Sequence, residues 1–131
     1  MARLCRILVV EDNEGIREFL QSLFDDEGFE IAVAAGGEAM RSILAQQRFD
    51  VALLDVTLPG DDDGFALAKL AQSAGCGVIL VTGDERHFDR VAASGHRFLF
   101  KPFRIERLMK LVDELAALTE ACPVGGGSVG R

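Results

Sequence analysis

Val51-Ala52-Leu53-Leu54-Asp55 decides how this chain reads: four apolar residues in a row, then a carboxylate. A continuous apolar run this short, without alternation, fits a strand buried on both faces, as in the middle of a parallel sheet. Three further runs share its form. Ile7-Leu8-Val9-Val10 leads into Glu11-Asp12, Val78-Ile79-Leu80-Val81 into Thr82, and Phe98-Leu99-Phe100 into Lys101. Segments of helical length separate them. In a parallel sheet every strand points the same way, and ligands bind in the crevice beyond the carboxyl ends. The acids, the hydroxyl and the amine therefore converge on one crevice, and packing a sheet requires none of them there.

Outward from these runs, periodicity and punctuation predict strand 6–10, helix 13–27, strand 29–34, helix 36–47, strand 50–54, loop 55–63, helix 64–73, strand 77–82, helix 84–94, strand 97–101 and helix 103–119. The first helix carries Ile16, Phe19, Leu20, Leu23 and Phe24 as the stripe that lies on a sheet, with Asn13 as N-cap and Gly28 at its end. The last carries Ile105, Leu108, Met109, Val112, Leu115 and Ala116, and Leu111 and Leu118 widen that stripe toward a partner. Strand 29–34 is the weakest and holds Glu30, as suits an edge. Strict alternation of strand and helix predicts an α/β, flavodoxin-like, doubly wound sheet of five parallel strands, order 2-1-3-4-5, with helices on both faces. That order puts the crevice between the strands ending in Glu11-Asp12 and in Asp55.

At 131 residues the chain is long enough for one self-sufficient core. We read 1–119 as the domain and 120–131, with its Gly-Gly-Gly-Ser, as a flexible Gly-rich C-terminal tail. A first strand starting almost at Met1 favours a stand-alone unit. No apolar stretch reaches the roughly 18 residues of a membrane span, so no membrane role is expected. Cys5, Cys76 and Cys122 form no CxxC pattern, which suits a reducing, cytoplasmic setting better than a disulfide framework. A net charge of −7 argues against binding a nucleic-acid backbone.

Three carboxylates in one crevice repel: at an effective dielectric near 20, each pair about 4 Å apart costs about 4 kcal/mol. The site must raise a pKa or take up a cation. Oxygen donors without nearby His or Cys favour a hard ion, Mg²⁺ or Ca²⁺; His87 and His96 fall in or beside the fourth helix, away from these strand ends. A magnesium ion held by few protein oxygens keeps water and recruits a phosphate oxygen. With Lys101 opposite, the crevice suits a transferring phosphoryl group. Asp55 is placed to attack phosphorus and Thr82 to hydrogen-bond a phosphoryl oxygen.

Val-Val-Glu-Asp-Asn (9–13), Leu-Leu-Asp-Val-Thr-Leu-Pro-Gly (53–60), Val-Thr-Gly-Asp (81–84) and Lys-Pro-Phe (101–103), in this order, resemble the receiver domain of two-component response regulators. The resemblance covers roughly residues 6–119. It implies that Asp55 accepts a phosphoryl group from a histidine kinase or a histidine phosphotransfer protein, in a domain that catalyses its own phosphorylation and dephosphorylation rather than turning over a substrate. It further implies Mg²⁺ bound by Asp12, Asp55 and the Thr57 backbone carbonyl, with Glu11 acting through water. Lys101 would pair with the phosphate, Thr82 would be the switch hydroxyl, and Phe98 the switch aromatic. The Lys101–Pro102 bond resembles one that is cis in the family. An unknown downstream protein is the implied output partner, with the domain a monomer or weak dimer.

Several features depart from the family pattern. The loop Pro59-Gly60-Asp61-Asp62-Asp63-Gly64 is one residue longer than usual in the family, and Asp61-Asp62-Asp63 reads as a solvated acidic turn rather than extra ligands. The Thr82-to-Lys101 stretch is short, so a stunted fourth helix is expected, which weakens the case for a dimer built on the fourth helix, fifth strand and fifth helix. Phe98 lacks a hydroxyl. A different role within the family is a phosphate sink or relay receiver belonging to a hybrid histidine kinase or larger regulator. Outside it, a haloacid-dehalogenase-like phosphatase would want an acid where Thr57 stands, and a flavodoxin binding FMN would not place Glu11-Asp12 at its phosphate. A phosphorylation-silent module would have no use for the intact Asp12, Asp55, Thr82 and Lys101.

Overall fold

The computed structural model describes residues 5–58 and 63–118. Its elements run β1 (Arg6–Val10), α1 (Glu14–Asp26), β2 (Glu30–Ala34), α2 (Gly37–Gln46), β3 (Val51–Asp55), α3 (Gly64–Ser73), β4 (Gly77–Thr82), α4 (Phe88–Ala92), β5 (Arg97–Phe100) and α5 (Ile105–Ala116). The five strands form one sheet in the order β2-β1-β3-β4-β5, with every neighbouring pair parallel. β1 pairs β2 on one side and β3 on the other. The chain thus changes direction across the sheet beside the ends of β1 and β3, where a crevice opens.

The apolar runs are buried on both faces because adjacent residues feed opposite layers. Ile7, Val9, Val51, Leu53, Ile79 and Val81 pack with Leu20 and Phe24 of α1 and with Leu108, Leu111, Val112 and Leu115 of α5. Leu8, Val10, Ala52, Leu54, Val78 and Leu80 pack with Met40 of α2, Leu67, Ala68 and Ala71 of α3, and Val91 of α4. Each fully buried Leu or Ile contributes about 1.5–3 kcal/mol, so the two layers hold all five strand ends in fixed relation. Gly64 lets α3 start hard against β3: a Cβ there would lie 2.4 Å from the Val56 Cα.

Three expectations need correction. Phe19 is 54% exposed rather than on the sheet, because Ile16, Leu20 and Phe24, each four residues apart, already fill the inward line of α1. Leu111 lies inside the core and offers nothing to a partner, whereas Leu118 is exposed. The fourth helix is stunted, as expected, into a 3-10 turn, Glu85–His87, and the five-residue α4. Asp84 accepts from the Arg86 N–H to open that turn, and Gly95 with φ +87° closes the segment. Cys5 is disulfide-bonded and Cys76 is a buried free thiol, so the cysteines are not all unpaired. Cys5 lies against Ala116 at the end of α5, a proximity that spacing in the sequence does not show. Burial pushes the Cys76 thiol up to about 11.

No helix among the described residues is long and apolar enough to cross a membrane. Asp61, Asp62 and the 120–131 tail lie outside the described residues, while Asp63 is the N-cap of α3, accepting from the Phe65 N–H.

Candidate functional site

β3 delivers Asp55 into the crevice as a buried carboxylate, 5% exposed. Its Oδ1 accepts from the Thr57 backbone N–H at 2.8 Å and its Oδ2 from Lys101 Nζ at 2.8 Å. Lys101 follows β5, and its backbone N–H donates to the Thr82 carbonyl, which ties it to the end of β4. The same ammonium donates to Glu11 Oε1 at 2.9 Å. Glu11 Oε2 accepts from the Asn13 N–H, so both oxygens of this buried acid are engaged within the protein. Asn13 itself caps α1, accepting from the Ile16 N–H.

Glu11, Asp12 and Asp55 each present a carboxylate oxygen within 4.8 Å of the others. Asp12 is exposed, while Glu11 and Asp55 are buried. Burial pushes the Glu11 carboxyl up, and its bonds to Lys101 and the Asn13 amide only partly offset that. For Lys101 burial acts against the charge, but hydrogen bonds to Asp55 and Glu11 together outweigh it and raise the ammonium pKa. The Lys101 ammonium compensates one of the three acids and leaves two formal negative charges. An oxygen-only donor set with that residual charge fits a hard divalent cation.

Thr82 is wholly buried at the end of β4. Its Oγ1 lies 2.9 Å from Thr57 Oγ1 and accepts from the Asp84 N–H. Asp55, Thr57, Gly83, Asp84, Glu85 and Lys101 line an open cleft of about 600 Å³. At its rim Asp84 is held by the exposed Arg86 guanidinium, which brings its carboxyl down to about 2. The structure therefore brings Asp55, Lys101, Thr82, Glu11, Asp12 and Thr57 to one end of the sheet. Phe98 pairs in register with Leu80, two residues before Thr82 and on the same face of the sheet, and Phe100 with Thr82 itself. Phe100 stacks on Phe88 of α4, centroids 3.9 Å apart, and meets Phe98 at 5.2 Å. Phe88 and Phe100 escaped the sequence reading, although the alternation in Phe98-Leu99-Phe100 already put Phe100 on the face of Thr82.

The family model of the response regulator receiver domain matches residues 7–113. This chain belongs to that family. As a receiver domain it is a signalling module of two-component systems. It is 34% identical to the TorCAD operon transcriptional regulatory protein TorR of Escherichia coli (strain K12), over 83% of this chain and 49% of that protein. It is 32% identical to the transcriptional regulatory protein GltR of Pseudomonas aeruginosa, over 94% of this chain and 53% of that protein. The receiver domain thus spans about half the length of the curated relatives it matches. Among solved structures, the receiver domain of the TMAO respiratory system response regulator TorR is 35% identical, with a TM-score of 0.74 covering 85% of this chain and 95% of that one. TrrA from Thermotoga maritima, solved in complex with Mg(2+)-BeF, is 28% identical, with a TM-score of 0.75 over 86% of this chain and 99% of that one. The lysine-bridged acids lie inside the matched span. The Lys101–Pro102 peptide is cis.

Proposed function

We propose that this receiver domain accepts a phosphoryl group on Asp55 and changes conformation in response. The carrying observation is the single ammonium of Lys101 bridging the buried Asp55 and Glu11 at 2.8 and 2.9 Å, beside a third acid, in a crevice open to solvent. The three acids carry more negative charge than Lys101 balances, and a divalent cation would bring the site to neutrality before a phosphoryl group arrives.

In the reaction an Asp55 carboxylate oxygen attacks phosphorus. The phosphorus–nitrogen bond of a phosphohistidine breaks, and the imidazole leaves with the electron pair and takes up a proton. The donor is a histidine kinase or a histidine phosphotransfer protein. Asp12, Asp55 and the Thr57 carbonyl would hold Mg²⁺, which supplies neutralisation of the phosphoryl oxygens when bound. Glu11, with both oxygens already engaged, suits a role through water. Lys101 would turn from Asp55 Oδ2 to the arriving phosphoryl oxygens, and its pairing with Glu11 keeps it in reach. Thr82 would donate its hydroxyl hydrogen to another of those oxygens. The exposed Phe19 and the apolar groove lined by Ile16, Leu20, Phe103 and Ile105 open beside Lys101, apolar surface on which a donor protein can rest.

Intact mass after incubation with acetyl phosphate and Mg²⁺ tests the proposal. One phosphoryl mass is expected, mapped to Asp55 and blocked by EDTA, and Asp55→Asn is expected to gain none. Undiminished labelling of Asp55→Asn would remove Asp55 from the reaction.

A further inference from the structure

The buried hydroxyl of Thr82 has one hydrogen to give, and its surroundings say where it goes. Thr82 is 0% exposed, so that hydrogen must find an acceptor inside the protein; a buried donor left unmet is costly. Of the two partners its hydroxyl has among the described residues, the Asp84 backbone N–H can only donate. The Thr57 hydroxyl, 2.9 Å away, can accept. Thr57 is exposed, so its own hydrogen is free to point to water. Thr82 is therefore the donor and Thr57 the acceptor.

We propose that the Thr57 side chain is a latch on Thr82, a positioning residue that holds the Thr82 hydrogen away from Asp55 until a phosphoryl oxygen competes for it. The proposal rests on the phosphoacceptor reading of Asp55, but concerns a group that takes no part in bond making. Thr57 is suited to the task because its backbone N–H is already fixed on Asp55 Oδ1. One residue thus touches the acceptor acid through its main chain and the buried hydroxyl through its side chain. A phosphoryl oxygen on Asp55 draws the Thr82 hydrogen only by breaking the bond to Thr57. The latch stabilises the unliganded arrangement and lowers the affinity of any phosphoryl group by the worth of one hydrogen bond.

The test is titration with beryllofluoride in Mg²⁺, followed by NMR of the Thr82 methyl and nearby amides. Thr57→Val keeps the shape and removes the acceptor, so beryllofluoride affinity is expected to rise about five-fold, the equivalent of one net hydrogen bond. The Thr82 methyl resonance of unliganded Thr57→Val should move, and circular dichroism should show an unchanged fold. Thr57→Ser, which restores the acceptor, should return both the affinity and the resonance. In a Thr82→Ala background Thr57→Val should change affinity no further. Equal affinity in wild type and Thr57→Val overturns the latch, as does an unchanged gain in the Thr82→Ala background. A wild-type chain that binds no beryllofluoride overturns the phosphoacceptor reading itself, and the latch with it.

Discussion

Lys101 is where the electrostatics of the crevice are decided. Its ammonium is the shared partner of two buried carboxylates, and truncation to methionine keeps the stem while stranding both. Lys101→Met is expected to lower stability by about 1–3 kcal/mol at pH 7 in the absence of Mg²⁺, the cost of buried acceptors without a donor. The deficit should depend on pH from both ends. Because the folded-state pKa of Lys101 is raised above 10.5, its contribution is full below that value and is lost as pH rises through the higher folded value. On the acid side the Glu11 carboxyl, already pushed up by burial, takes a proton and no longer needs the ammonium. Urea unfolding of wild type and variant between pH 4 and 11 checks this; a deficit of equal size at pH 4 and pH 7 would show that packing, not charge pairing, is lost.

At the scale of elements, the approach of α3 to β3 leaves no room for error. The first residue of α3 is Gly64, whose missing Cβ would meet the Val56 backbone at 2.4 Å, and Asp63 caps the same turn. Backbone cannot rotate aside as a side chain can. Gly64→Ala is expected to cost about 1–3 kcal/mol by overpacking, despite the higher helix propensity of alanine, and to weaken acetyl phosphate labelling because Thr57 and Asp55 lie next to the displaced strand end. Thermal unfolding together with labelling measures both; a stabilised Gly64→Ala would show that α3 can shift freely. The short α4 depends on different forces. Five residues cannot sustain a helix alone, and α4 is held by the buried Val91, the Phe88–Phe100 stack and the Arg90 guanidinium 3.8 Å above the Phe65 ring.

Across the whole molecule, the question is whether an event at Asp55 reaches the α4–β5 side. The route runs from Thr82 to Phe100, its register partner, and from there both to Phe88 and to Phe98. Coupling by such repacking is typically worth about 1–3 kcal/mol. Beryllofluoride with Mg²⁺ is expected to change amide exchange or shifts within 84–118, and Phe98→Ala to leave Asp55 labelling intact while reducing that response. A response confined to the loops around Asp12 and Asp55 would mark this receiver as a phosphate sink or relay rather than a switch. Leu118, exposed at the end of α5, remains available to a downstream protein, while the core position of Leu111 removes it.

The sheet, its strand order and the identity of the converging polar groups are all legible along the linear chain. Uninterrupted apolar runs have one stable environment, and a parallel sheet sends all their last residues to one end. Val51–Asp55 and Gly77–Thr82 illustrate this: strands buried on both faces, each delivering a polar group. Which polar atoms meet is set in the folded arrangement. That Glu11 shares an ammonium with Asp55 and that Thr57 reaches Thr82 both depend on register and side-chain direction between segments 25 to 90 residues apart. Periodicity is a local property and carries no such information. The inward line of a helix is likewise visible in sequence, but whether a flanking residue such as Phe19 or Leu111 falls inside it depends on how the helix is rotated against the sheet, which the packing of both partners sets.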